Sequence, residues 1–132
     1  MKFAFILDPL DKLKAYKDSS IAMMRAASRR GHELFAIQRE ALIWEGGVVS
    51  ARCLPIGVSD FDHAWYAPSG AEAVMPLTGF DAVLMRQDPP FDFEYVTATW
   101  LLERAQQAGA RIFNHPRSIR DHSEKLAITE FP

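Results

Sequence analysis

The sequence predicts an α/β fold: an open, mainly parallel sheet flanked by helices, with one β-hairpin added to it. Short apolar runs recur at Phe3-Ala4-Phe5-Ile6-Leu7, Ala82-Val83-Leu84-Met85 and Ile112-Phe113. Each runs directly into a polar, proline-containing turn: Asp8-Pro9, Arg86-Gln87-Asp88-Pro89-Pro90 and Asn114-His115-Pro116. A helical pattern comes after each turn, and strands alternating with helices are the mark of a parallel sheet. Ligands of open α/β sheets bind at the carboxyl ends of the strands, so three polar turns on that edge point to a small-molecule site.

Residues 2–7 read as a buried strand, because the run is short, apolar and closed by a turn. Asp18-Ser19-Ser20 offers three N-cap types in a row ahead of Ile21, Met24 and Ala27 at helical spacing. Arg29 and Arg30 complement the helix dipole and Gly31 supplies the stop, giving a helix over 20–30. Residues 33–37 form the next strand, reached by a right-handed crossover. Gly46-Gly47 separates two apolar stretches and predicts a hairpin over 41–54. Prolines and glycines punctuate residues 55–80, where only one short strand around Trp65-Tyr66 is legible. Asp92 caps a long helix over 93–108, with Phe91 and Val96 placed as a hydrophobic staple. Phe93, Val96, Thr97, Trp100, Leu101, Ala105 and Ala108 form the face expected to be buried. Pro116 suits the first position of a short helix, and Asp121 with Glu124 predicts an acidic capping box for a last one.

The 132 residues, 48% of them hydrophobic, are enough for one domain with a sizeable core. A formal net charge of −2 gives none of the strong basic footprint expected of a nucleic-acid binder. Cys53 is the one cysteine, which excludes an intrachain disulfide and suits a reducing cytoplasm. Five apolar residues before Asp8 are too few for a signal peptide or a membrane span.

The sharpest local signal is Arg86, Asp88, Pro89 and Pro90. A proline-stiffened turn at a strand end can hold out a guanidinium fork to a carboxylate or phosphate. The plain alternative is a stiff surface loop in which Arg86 pairs with Asp88, and the residues alone leave both open. Lys17-Asp18-Ser19-Ser20 stands at a helix N-terminus on the same edge, a position receptive to anions, although Asp18 or Ser19 could simply cap. No G-x-G-x-x-G and no Walker loop is present. His32, His63, His115 and His122 lack metal-site spacing, and Ser19 and Ser20 lack the setting of a hydrolase nucleophile. No complete catalytic machine is visible.

From Met85 to Asp92 the chain resembles the bacterial glutathione synthetase family. Asp8-Pro9, Lys17-Asp18-Ser19-Ser20 and the stretch Asn114, Pro116, Ser118, Arg120, Asp121, Glu124-Lys125-Leu126 match in the same order. The likeness covers essentially the whole chain. Gln87 stands where the family often has Lys, and Ser123 where it often has Asn. Gln87 therefore supplies no second cation beside Arg86.

The resemblance implies a Rossmann-like, pre-ATP-grasp domain over 1–122. Residues 123–132 then begin a longer ATP-grasp region that holds the phosphate-covering loop and the Mg2+ carboxylates. It implies an ATP- and Mg2+-dependent ligase, a glutathione synthase joining γ-glutamylcysteine and glycine, homo-oligomeric when intact. In that scheme Arg86, Asp88, Asp18, Ser19 and Ser20 face the peptide substrate, and Lys125 faces the ATP phosphates. The chain itself carries no catalytic residue and no metal ligand, and is expected to be inactive alone. Another ATP-grasp peptide ligase and a free-standing binding module are the competing expectations, separable by whether the reading frame beyond Pro132 continues into an ATP-grasp region or stops.

Overall fold

The computed structural model describes residues 1–132. Eight strands make one sheet: β1 (Lys2–Ile6), β2 (Glu33–Ile37), β3 (Leu42–Glu45), β4 (Val48–Val58), β5 (Tyr66–Pro68), β6 (Ala73–Pro76), β7 (Ala82–Met85) and β8 (Ile112–Phe113). Its order is β3-β4-β2-β1-β7-β8, with β5 and β6 also paired to β4. The central run β2-β1-β7-β8 is parallel, as expected. The remaining strands all join through β4 in antiparallel pairs, so the sheet as a whole is mixed.

β4 explains why residues 55–80 resist reading from sequence. It continues through Pro55 for 11 residues, and its first half pairs with β3 and β6 while its second half pairs with β2 and β5. Its short antiparallel partners carry too few residues to show a period. Gly46 and Gly47 turn the hairpin at φ of +58° and +80°, backbone that favours glycine.

Helix α1 (Ser19–Arg29) covers one face of the sheet and α2 (Phe93–Gln107) the other. Strand alternation splits β1 between the two cores. Phe5 and Leu7 pack with Ile21 and Met24, whereas Ala4 and Ile6 pack with Ala98 and Leu102. Arg25 holds the loop after β4 by donating Nε to the Ser59 carbonyl at 2.7 Å, and Arg29 pairs with Asp60 at 2.6 Å.

Two local expectations are corrected. The buried stripe of α2 is Tyr95, Ala98, Thr99, Leu102 and Ala105, while Phe93 is 90% and Trp100 56% exposed. Small residues at 98, 99 and 105 let the helix approach the sheet, which bulky Phe93 and Trp100 would prevent; the Arg120 guanidinium lies 5.8 Å from the Trp100 ring centre instead. Phe91 meets Tyr95 in a tilted pair with ring centroids 5.1 Å apart. Helix α3 (Pro116–Asp121) takes up Asp121, whose carboxylate accepts from Arg117 Nε at 3.3 Å, so no capping box forms with Glu124. A short 3-10 turn over Leu126–Glu130 comes next, without a side-chain cap.

Candidate functional site

The site assembles where β1 and β7 end. The Arg86 amide donates to the Ile6 carbonyl at 2.9 Å, continuing the ladder one residue past β7 and fixing where the side chain departs. Its guanidinium then reaches across to α1: Nε donates to Ser20 Oγ at 3.0 Å and Nη2 to Ser19 Oγ at 2.8 Å. Nη1 has no protein partner. Asp18 caps α1 by accepting from the Ile21 amide at 3.0 Å, so its carboxylate is committed to the helix start. Arg86 does not pair with Asp88, contrary to the surface-loop alternative.

Asp8 anchors the turn. One carboxylate oxygen accepts from Gln87 Nε2 at 3.3 Å and the other from the Asp88 amide at 3.2 Å. The Tyr95 hydroxyl donates to the Gln87 carbonyl at 3.1 Å, fastening the turn to α2. Burial pushes the Tyr95 phenol up; nearby Arg39 and Arg86 oppose the shift, and Asp88 and Asp8 reinforce it. Arg39 in turn holds the first residues of α2, pairing with Asp92 at 3.3 Å and Glu94 at 3.1 Å.

A cavity of about 760 Å3 opens on this edge. Arg86, Gln87, Asp88, Asn114, Ser118 and Lys125 are among the residues that line it. Lys125 makes no ion pair, and the Gln87 side-chain oxygen is buried without a partner. Asp18, Ser19 and Ser20 do not line the cavity: Ser19 and Ser20 brace Arg86 from behind. The cleft thus offers an oriented guanidinium with one free nitrogen and an unpaired ammonium, a set suited to anionic groups.

Sequence reasoning singles out Arg86, Ser19 and Ser20, and the structure brings those three into direct hydrogen bonds. It misses the anchoring by Asp8 and Tyr95. Asp8-Pro9 is visible as a turn, but nothing in the sequence says that its carboxylate reaches residues 87 and 88. Tyr95 sits in a helix and resembles any interior aromatic. No three His, Cys, Asp or Glu side chains gather closely enough to hold a metal ion, and no helix is long and apolar enough to cross a membrane.

Comparison with known proteins gives a consistent answer. The family described as "Prokaryotic glutathione synthetase, N-terminal domain" matches residues 1–120. The glutathione synthetase of Ralstonia nicotianae is 55% identical over 131 residues, which is 99% of this chain and 40% of that protein. That of Nitrosomonas europaea is 55% identical over 135 residues, 100% of this chain and 42% of that protein. The glutathione synthetase of Pseudomonas aeruginosa is 40% identical across 99% of the chain and 41% of that protein. The chain therefore spans about two-fifths of the length of these relatives. With the matched residues containing β1, α1, β7 and the whole Arg86 turn, the chain belongs to the prokaryotic glutathione synthetase N-terminal domain family.

Proposed function

We propose that this chain is the substrate-side domain of a glutathione synthetase, the ligase that joins γ-glutamylcysteine to glycine with conversion of ATP to ADP and phosphate. The observation that carries this is Arg86, held by Ser19 and Ser20 with one nitrogen free, on the wall of a cleft at the strand ends of a family member. Arg86 binds a carboxylate of γ-glutamylcysteine, while Asp8 and Tyr95 fix the turn that carries it. Asp88 lines the same cleft, and Ser19, Ser20 and Asp18 set the guanidinium's position. Residues 123–132 open the ATP-grasp part, where the Lys125 ammonium faces a nucleotide phosphate. ATP, when bound, supplies the phosphoryl group that activates the cysteinyl carboxylate for attack by glycine. Mg2+ has no fitting donor set among these residues, because no acidic group gathers for it. The intact enzyme is a cytoplasmic homo-oligomer in this scheme.

Phosphoryl transfer rests on positioning and charge neutralisation, so the 132-residue chain alone releases no phosphate above background with ATP, Mg2+, γ-glutamylcysteine and glycine. In the synthetase that contains this domain, Arg86→Ala raises KM for γ-glutamylcysteine by about tenfold or more, the loss of one charge-assisted hydrogen bond of roughly 1.5–3 kcal/mol. Unchanged steady-state constants would return Arg86 to a purely structural role.

A further inference from the structure

A second cavity, of about 390 Å3, opens on the α1 side of the sheet beyond the carboxyl ends of β1 and β2. It shares no lining residue with the Arg86 cleft. Strand alternation builds it. Val49, Ala51 and Cys53 of β4 point into the α2-side core, so Arg52 and Leu54 face the other way. Ala36 of β2 is the register partner of Leu54 and shares its face, and Leu10 adds to this apolar floor.

Four charged side chains line the cavity; Asp8 is already committed to Gln87 and the Asp88 amide, which leaves Arg52, Glu40 and Glu72 around that floor. Arg52 lies opposite Val74 on β6. Glu72, two residues before Val74, is therefore a diagonal neighbour at about 7–8 Å between backbones, within reach of a long side chain. The two nevertheless form no ion pair. Glu40 stands on the turn between β2 and β3, and none of the three enters any of the protein's ion pairs. The guanidinium and carboxylates are exposed to solvent and unpaired around one apolar floor, an arrangement complementary to a ligand carrying both charges. An anion would leave the carboxylates unmatched, and a cation would leave Arg52 unmatched.

We propose that this cavity binds a zwitterionic α-amino acid with an aliphatic side chain. Arg52 takes its carboxylate, Glu72 and Glu40 take its ammonium, and Leu10, Ala36 and Leu54 take its side chain. The volume falls within the range of small-ligand sites. Binding here does not require the synthetase chemistry, although Asp8 both lines this cavity and anchors the Arg86 turn.

The test is a titration of the 15N-labelled 132-residue chain with L-leucine, monitored by amide shifts. Saturable shifts are expected at residues 36–43, 52–54 and 72. The one-charge analogues 4-methylpentanoate and 3-methylbutylamine, and the Arg52→Gln and Glu72→Gln variants with leucine, should each bind at least about tenfold more weakly. Arg86→Ala should leave leucine binding unchanged, which separates this site from the first cleft whatever that cleft binds. Absence of saturable shifts up to about 50 mM leucine, well past a millimolar Kd, overturns the proposal. So does equal binding of either one-charge analogue, or a loss on Arg86→Ala as large as that on Arg52→Gln.

Discussion

Replacing Asp8 by Ala removes the acceptor that holds the Arg86 turn against β1. Two bonds disappear together, from Gln87 Nε2 at 3.3 Å and from the Asp88 amide at 3.2 Å. Bonds to a charged acceptor are worth roughly 1.5–3 kcal/mol each when short and buried. These are long and partly exposed, so we place the pair near the bottom of that scale, at about 1.5 kcal/mol in total. The Asp88 amide finds water once freed, whereas the Gln87 side chain, already lacking a partner on its oxygen, loses its remaining bond. In a domain of this size that cost lowers Tm by about 5 °C. Asp8→Asn should cost about half as much, because its carbonyl oxygen can still accept one bond while its amide nitrogen cannot accept the other. Thermal and urea unfolding of the wild type, Asp8→Ala, Gln87→Ala and the double variant measure the effect. The cycle should give a coupling of about 0.5–1 kcal/mol between residues 8 and 87. A cost for Asp8→Ala within about 0.3 kcal/mol of zero, or strict additivity in the cycle, would refute the claim that Asp8 sets the turn.

Cys53 should be nearly inert in the folded chain. It is fully buried, and desolvation pushes its thiol from 9.0 up to about 11 despite an opposing hydrogen bond with the Met75 backbone. Thiolate at pH 8 is therefore about 100-fold scarcer than in the unfolded chain, and alkylation should proceed at least that much more slowly until urea opens the fold; equal rates in folded and unfolded chains would contradict the packing. The same shift makes the fold alkali-sensitive. A raised thiol contributes stability that is complete below pH 9 and fades as pH rises through about 11, at about 1.4 kcal/mol per pH unit. Tyr95, raised chiefly by burial, adds a loss of the same sign above its ordinary range near pH 10. Urea midpoints should change little from pH 8 to 9 and then fall from pH 9 to 10 for the wild type, more shallowly for Cys53→Ala; parallel profiles would rule the thiol out as a cause.

What the sequence reveals and what it hides divide along one physical line. Elements that bury a continuous apolar run or carry their own stop signal are legible: β1, β2, β7, α1 with its Asp18 cap and Gly31 at φ +79°, and the Gly46-Gly47 hairpin. Elements defined by partners far along the chain are not. Pro55 argues against a strand, yet β4 carries it where β2 and β5 supply pairing on both sides. The stripe 93-96-97-100-101 of α2 is as periodic as the stripe it buries. Size decides between them, since the sheet accepts Ala98, Thr99 and Ala105 at close range and leaves Trp100 to lie under Arg120. The candidate site shows the same division within a few residues. Arg86, Ser19 and Ser20 are readable because strand ends and helix starts of an α/β sheet share an edge. The contacts of Asp8 with residues 87 and 88, some 80 positions away, depend on β1 and β7 being parallel neighbours in register, with Ile6 beside Met85. Once that register is set, Leu7 falls beside Arg86 and Asp8 beside Gln87, and the turn between Arg86 and Pro90 has a carboxylate within reach. The anchoring of the site is thus a consequence of topology, and a slip of one residue between β1 and β7 would turn Asp8 to the opposite face of the sheet and remove it.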